Sequence, residues 1–280
     1  MNYLKLIRTN HWVKNLFILL PLFFEGKANL ISIVNSFDVL LIFSLSSSLS
    51  YIFNDFIDFE NDKKNPYKKM RPLTSGKVSI NEVKFLFFIV TSLIILLNYL
   101  FFNPNVIFVI VIYLFLNLIY STYFKKIFVI NILFLLSFYY LRIFLGSLYF
   151  DIPLTQWVVL LTLSSSLILI LGKKYKDYDT NIKEKFTLNN KVNFLYLIVL
   201  VAVFQIVIYS VYSLSENAIF KYGNLFPYSV LLVIIGNVRY LYIIKYKKLS
   251  SDQVKVFFED KLLIFILLIY FLLITYMLYF

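Results

Sequence analysis

What this chain can fold into is limited first by a succession of long apolar segments joined by short polar ones. Nine are read, at about 15–33, 37–57, 84–102, 105–123, 128–149, 155–172, 192–213, 225–244 and 261–279, and a membrane-crossing helix needs about 20 apolar residues. Glu25, Gly26 and Lys27 interrupt the first. Phe102-Asn103-Pro104 and Asp151-Ile152-Pro153 mark turns between later ones. Nothing resembling a soluble domain, a low-complexity tract or a long linker separates them. The sequence therefore predicts an all-α, polytopic membrane protein of about nine transmembrane helices, with residues 1–280 as one domain. Composition agrees: 61% of the 280 residues are hydrophobic and 15% charged, with mean hydropathy +0.81. A soluble domain is nearer half apolar and a quarter charged. An ordinary cytosolic enzyme, a secreted disulfide scaffold and a disordered protein are thereby excluded. The absence of cysteine rules out disulfides, thiol catalysis and Cys-ligated metal sites. The one histidine, His11, adjoins Trp12 and suits the membrane interface better than catalysis. The start, Met1 to Asn15, is basic and amphipathic, with no cleavage pattern after its first apolar run.

A net charge of +12 would suggest nucleic acid in a soluble protein. Here topology accounts for it, and no nucleic-acid partner is expected. With nine spans, 23 of the 27 Lys and Arg fall on one side, in the N-terminus and loops 58–83, 124–127, 173–191 and 245–260 with the adjoining span edges. The positive-inside rule then puts the N-terminus and these loops in the cytoplasm.

Topology does not explain where the acids sit. Asp55, Asp58, Glu60 and Asp62 crowd the predicted cytoplasmic end of the second segment. Asn54, Asp58 and Asp62 are four apart and Asp55 lies three before Asp58, so the four oxygen-bearing side chains share a helical face. Like charges at that spacing repel, and they stand at the helix end the dipole disfavours for acids. A cation is needed, and hard oxygen donors point to Mg²⁺, which bridges readily to substrate phosphates. Lys63, Lys64, Lys68, Lys69 and Arg71 follow, then Pro72-Leu73-Thr74-Ser75-Gly76. Cations beside such a face suit a phosphorylated ligand. Arg142, in mid-span, is costly there and should face a cavity and a partner. Arg239 lies nearer its span's end, within snorkelling range.

Asn54-Asp55-x-x-Asp58-x-x-x-Asp62 resembles the first aspartate-rich motif of the UbiA superfamily of intramembrane prenyltransferases. Further segments resemble its decaprenyl-phosphate phosphoribosyltransferase branch: Arg8-x-x-x-Trp12-Val13-Lys14-Asn15, Arg71-Pro72 with Ser75-Gly76, Asn117-Leu118-x-Tyr120-Ser121 with Lys125, Leu141-Arg142-x-x-x-Gly146, Leu171-Gly172-Lys173-Lys174-x-x-Asp177, and Asp252 through Asp260. The resemblance runs in order along the chain. It implies a single UbiA-like helical bundle in a bacterial cytoplasmic membrane. The implied activity is Mg²⁺-dependent transfer of 5-phosphoribosyl from phosphoribosyl diphosphate (PRPP) to a polyprenyl phosphate for cell-envelope glycan synthesis, at a cytoplasmic site.

On that reading Asp55, Asp58 and Asp62 hold the metal, and Asn54 ligates it or orients a carboxylate. Lys14, Arg71, Lys125, Arg142, Lys173 and Lys174 are candidates for phosphates. Tyr120 joins the substrate site, and Asp177 contacts ribose or metal. Where ordinary prenyltransferases of the superfamily carry a second aspartate-rich loop, this chain has Lys173-Lys174-Tyr175-Lys176-Asp177, better suited to phosphate than to a second metal. The resemblance is imperfect: Thr9 replaces Pro, Asn131 replaces Asp, Lys174 replaces Arg and Asp177 replaces Glu. Two other readings remain at this point: a prenyltransferase acting on an aromatic or isoprenoid acceptor, and a non-catalytic lipid-binding or transport protein.

Overall fold

The computed structural model describes residues 2–64, 68–101, 103–179, 191–247, 256 and 259–279. Eight of its helices are long and apolar enough to cross a membrane among the described residues, and the protein is an integral membrane protein of all-α class. We label the long helices α1 (Phe37–Ile57), α2 (Ile80–Leu100), α3 (Pro104–Thr122), α4 (Phe128–Phe150), α5 (Gln156–Asp179), α6 (Lys191–Ser213), α7 (Val230–Tyr246) and α8 (Lys261–Tyr279). They fall into two compact units, residues 1–153 and 154–280. The part of the basic loop at 180–190, and Asp252 in the last loop, lie outside the described residues.

Local chemistry sets the helix boundaries. Ser79 and Glu82 form a reciprocal capping box at the start of α2. Asn103 accepts from the backbone N–H of Asn105 and Val106, and Pro104 opens α3 without wasting a donor. Asp151 ends α4 in the left-handed region (φ 51).

The first apolar segment departs from a regular span. Thr9–Leu19 winds as a 3-10 helix, Leu20–Phe24 as a short α-helix, and Gly26 (φ 72) turns the chain. At about 2.0 Å per 3-10 residue and 1.5 Å per α residue, Thr9–Phe24 extends about 30 Å, the thickness of a bilayer core. Its partners show that it runs antiparallel to α1. Arg8 meets Asp55, Trp12 donates to Ser48 Oγ (2.9 Å), and Asn15 donates to Ser44 Oγ (2.9 Å). The first unit therefore holds four long α-helices and a fifth, tighter pass along α1. Tyr3 donates to Glu82 at 2.5 Å, so the chain's start lies at the same end of this unit as the loop joining α1 to α2.

That pass requires Gly146. A Cβ there would lie 1.9 Å from the Ile18 carbonyl oxygen, so only a bare backbone lets α4 close on the 3-10 segment. Overpacking costs about 1–3 kcal/mol, more than alanine's helix propensity returns. Gly146→Ala is expected to lower the melting temperature in detergent and to loosen Asn15 from its neighbours. An unchanged melting temperature would show that the contact relaxes freely.

The second unit packs α5 on α6, and α7 on both α6 and α8. Asp260, 1% exposed, begins α8. It accepts the Leu263 N–H (2.9 Å), two bonds from Arg239 (3.1 and 2.9 Å) and one from Lys247 (2.5 Å). Burial acts to raise its pKa, but the Arg239, Lys247 and Leu263 bonds win and hold it well below the usual carboxylate range. Stability from such a depressed acid is complete above the unfolded pKa of about 4 and is lost as pH falls toward the folded value. Asp260→Asn keeps the helix cap and loses the charge. It is expected to cost about 2 kcal/mol at neutral pH, with the gap to wild type constant down to about pH 5 and shrinking below about pH 4. A gap independent of pH in acid would refute the ion-pair account. Asp260 and Arg239 thus fasten α8 to α7.

Candidate active site

In α1 the polar positions Ser44, Ser47, Tyr51, Asp55 and Asp58 recur at intervals of three and four, which stacks them on one face. The buried serines bond back to their own helix, Ser46 to the Ile42 carbonyl (2.9 Å) and Ser48 to that of Ser44 (3.0 Å), so small polar side chains sit inside the unit without orphaned hydroxyls. The helix ends at Asp58. Phe59–Lys63 forms one further turn of helix that carries Asp62.

At this end the three carboxylates are buried: Asp55 is 4%, Asp58 9% and Asp62 2% exposed. Each is met by a cation. Asp55 Oδ1 accepts from Arg8 (2.5 Å) and Arg71 (2.9 Å). The same Arg71 Nη1 reaches Asp62 Oδ2 at 2.5 Å, so one nitrogen bridges two acids. Lys68 stands 3.5 Å from Asp62 Oδ1, and Lys125 bonds Asp58 Oδ1. Burial pushes the Asp62 carboxyl above its ordinary pKa. Arg71 and Lys68 pull it down, while Asp58 and Asp55 push it up. The three acids thus share one electrostatic field, as the sequence spacing predicts.

The loop geometry explains Arg71. Thr74 donates to the carbonyls of Lys68 (2.8 Å) and Arg71 (3.2 Å), and the Ser75 N–H returns to the Arg71 carbonyl at 2.8 Å. Gly76 (φ 72) supplies the left-handed turn that a side chain would resist. Thr74, Ser75 and Gly76 fold the backbone around Arg71 and aim it at the acids.

Lys125 is fixed differently. Asn131, 3% exposed, donates through Nδ2 to the Lys125 carbonyl (2.7 Å) and the Tyr120 hydroxyl (3.2 Å). A carboxylate could not donate either bond, which gives the asparagine at this position a physical reason. Its Oδ1 is buried with no hydrogen-bond partner among the described residues. Tyr120 is thereby brought beside the Lys125 turn, its ring against Phe134 and Phe138.

Asn54 is part-exposed and offers its backbone carbonyl to Asp58 N–H (2.9 Å). Lys14 is part-exposed on the 3-10 segment. Arg142 lies deep on α4, 4% exposed, hydrogen-bonded to Asn15 Oδ1 (3.0 Å) and the Phe138 carbonyl (2.5 Å). Lys173, Lys174 and Asp177 belong to the second unit, near the C-terminal end of α5. Spacing alone did not single out Arg8 as a site residue. It sits 47 residues before Asp55, in the left-handed region (φ 53), with its guanidinium 4.7 Å from the Tyr51 ring centre. That backbone conformation costs about 1–2 kcal/mol in a non-glycine residue, and the Asp55 pair holds it there.

Could this set hold a metal ion? Among the described residues no three acidic or histidine side chains converge on one point. The donor chemistry still fits Mg²⁺, which is usually held by one or two carboxylates with water and substrate phosphate completing its shell. Oδ2 of Asp55 and Oδ2 of Asp58 accept no hydrogen bond among the described residues, so each keeps an oxygen for that purpose.

Comparison with known proteins fits this geometry. The profile of the UbiA prenyltransferase family matches residues 16–269. The chain belongs to the UbiA prenyltransferase family. Two relatives, both named decaprenyl-phosphate phosphoribosyltransferase, support the narrower resemblance. The one from Mycobacterium tuberculosis is 28% identical over 178 residues, covering 62% of this UbiA-family chain and 59% of the relative. The one from Corynebacterium glutamicum is also 28% identical over 178 residues, covering 62% and 54%. The matches thus span less than two thirds of these relatives' own length. Among solved structures, a UbiA homolog from Archaeoglobus fulgidus bound to GPP and Mg²⁺ is similar with TM-score 0.70 at 15% identity, covering 99% of both chains. A digeranylgeranylglyceryl phosphate synthase is similar with TM-score 0.62 at 20% identity, covering 98% of this chain and 96% of the other. At those identities the likeness is one of fold.

Proposed function

We propose that this UbiA-family protein transfers 5-phosphoribosyl from PRPP to a polyprenyl phosphate (decaprenyl or undecaprenyl phosphate), releasing diphosphate. On this reading the aspartate end of the first unit faces the cytoplasm of a bacterial inner membrane, and the product feeds cell-envelope glycan synthesis. The observation that carries the reading is the interlacing of Asp55, Asp58 and Asp62 with Arg8, Arg71, Lys68 and Lys125. PRPP and a lipid phosphate together bring a diphosphate and two phosphate monoesters, and need more cations than one prenyl diphosphate does. The names of the relatives favour the same donor and acceptor.

In the proposed mechanism Asp55, Asp58 and Asp62 would hold the cation, and Asn54 would ligate it or orient a carboxylate. Bound Mg²⁺ supplies Lewis-acid stabilisation of charge on the departing diphosphate. Arg8, Arg71 and Lys125 turn from the carboxylates to phosphate oxygens of the donor, where charge-assisted bonds hold the anomeric carbon in place. An acceptor phosphate oxygen forms the new bond to that carbon as its bond to the diphosphate oxygen breaks, and the electron pair leaves with diphosphate. The attacking oxygen is already anionic, so no strong base is required. Positioning and fixed positive charge carry the rate. Tyr120, placed by Asn131 beside Lys125, borders the substrate; Lys14 and Arg142 are further phosphate contacts. Lys173 and Lys174 are proposed on the sequence resemblance as phosphate contacts, and Asp177 as a ribose or metal contact.

The test is transfer of label from ribose-labelled PRPP into extractable lipid, using purified protein in detergent with undecaprenyl phosphate and Mg²⁺. Lipid-bound label that requires the divalent cation supports the reading. No label across several acceptor lengths, with the protein folded, overturns it. A second reading, prenyl transfer from a prenyl diphosphate to an aromatic or isoprenoid acceptor, is favoured by the family match and the GPP-bound fold neighbour. Prenyl diphosphates offered with such acceptors test it in the same preparation.

A further inference from the structure

Arg142 is a buried cation that no acid among the described residues neutralises. Its Nε donates to Asn15 Oδ1 at 3.0 Å and its Nη1 to the Phe138 carbonyl at 2.5 Å, while Nη2 makes no hydrogen bond among the described residues. The guanidinium lies 5.2, 5.8 and 5.6 Å from the ring centres of Phe43, Tyr113 and Tyr139. Among the described residues it forms no ion pair. Neutral hydrogen bonds and ring faces offset only part of the cost of desolvating a charge, and an uncompensated arginine inside a membrane-spanning helix marks a ligand pathway.

The group that orients it is Asn15, 1% exposed. The amide's direction follows from its partners. Ser47 Oγ donates to the Ser44 carbonyl (2.8 Å), so toward Asn15 it can only accept, and Nδ2 faces it at 3.5 Å. Nδ2 also donates to Ser44 Oγ at 2.9 Å. Oδ1 is left for Arg142. An aspartate has the same shape, would accept the same bond, and would cancel the charge. Ser44 and Ser47 lie 8–11 residues before Asp55 on α1, about 12–17 Å along the helix axis at 1.5 Å per residue. Arg142 is therefore too deep for the group held by the aspartates, but within reach of a second anionic group on the same polar face.

We propose that Asn15 is a positioning residue that orients Arg142 while leaving its charge available, so that the counter-charge is a substrate's phosphate monoester. Resting on the phosphoribosyl-transfer reading, that group is either the 5-phosphate of the donor or the phosphate of the lipid acceptor. Both present the same dianionic oxygens, and the experiment separates them.

The experiment compares wild type, Asn15→Asp and Asn15→Ala in detergent, measuring KM for PRPP, KM for undecaprenyl phosphate, kcat and melting temperature. Asn15→Asp is expected to raise one KM at least tenfold, with kcat at saturation within threefold and melting temperature equal or higher. A rise in the PRPP value assigns the donor 5-phosphate; a rise in the lipid value assigns the acceptor. Asn15→Ala is expected to lower the melting temperature with a smaller KM effect. Both KM values within twofold of wild type in Asn15→Asp, or Asn15→Ala the more damaging to KM, overturns the proposal, because a structural role predicts that order. Where Asn15→Asp does not fold, Ser44→Asp sets a carboxylate one hydrogen bond further from Arg142 and is read by the same criteria. If wild type transfers nothing from PRPP, the functional reading fails by itself. Calorimetric binding of inorganic phosphate then decides the inference: tenfold weaker binding in Asn15→Asp supports it, and equal binding overturns it.

Discussion

Arg71→Gln is expected to lower phosphoribosyl transfer at least a hundredfold. One nitrogen of Arg71 bridges Asp55 and Asp62 at 2.9 and 2.5 Å, so the substitution removes the shared counter-charge of two buried acids at once. In the proposed reaction the same group stabilises a phosphate oxygen, and loss of one such fixed donor costs about 10²–10³ in rate. Leaving buried acids underpaired also costs stability, by about 3–5 kcal/mol where no other cation steps in. Arg8 and Lys68 remain beside Asp55 and Asp62, so the fold is expected to survive with a lowered melting temperature. Arg71→Lys separates the two effects. It restores the charge but lacks the planar fork, and should recover most of the stability and little of the turnover. Full activity in Arg71→Gln, measured as lipid-extractable label, would reduce Arg71 to an anchor for its loop.

The second large effect concerns the acids. Chelation of divalent cations by EDTA is expected to abolish transfer and Mg²⁺ to restore it, and Asp58→Asn is expected to lower activity about a thousandfold in saturating Mg²⁺. Asp58 is the informative choice because among the described residues it has a single cationic partner, Lys125. Its replacement frees Lys125 without stranding a second acid, so the fold should be kept and the loss should read on metal and donor. Direct Mn²⁺ binding, followed by electron paramagnetic resonance, should weaken in the variant. Metal binding equal to wild type with activity lost would move Asp58 from metal ligand to anchor of Lys125.

Much of this site is legible before any coordinates, for a physical reason. Asp55, Asp58 and Asp62 lie close together in sequence, and helical spacing alone puts them on one face. The same holds for apolar length, which reads out membrane crossings, and for Ser79 and Asn103, whose caps are local. Arg71 is legible because the turn that presents it is built from its immediate successors, Thr74 to Gly76. Arg8 and Asn15 stand out in sequence only as parts of a motif resemblance, and their partners do not: each is met across a long stretch of chain, Arg8 at Asp55 and Asn15 at Arg142, and no local spacing announces the pairing.

The first apolar segment shows the division most clearly. By itself the sequence determined that the segment at about 15–33 is apolar enough to enter a membrane and that Glu25 to Lys27 interrupt it. Only the tertiary structure decided that Thr9–Leu19 winds as a 3-10 helix. Intrinsic preference disfavours so long a 3-10 run, and it persists here because packing against α1 and Gly146 of α4 compensates. Sequence likewise set which acids and cations the site contains. Pairing Arg71 with two of those acids, and leaving Arg142 with none among the described residues, was decided by which side chains the packed helices bring within hydrogen-bonding distance, and that depends on contacts no local pattern encodes.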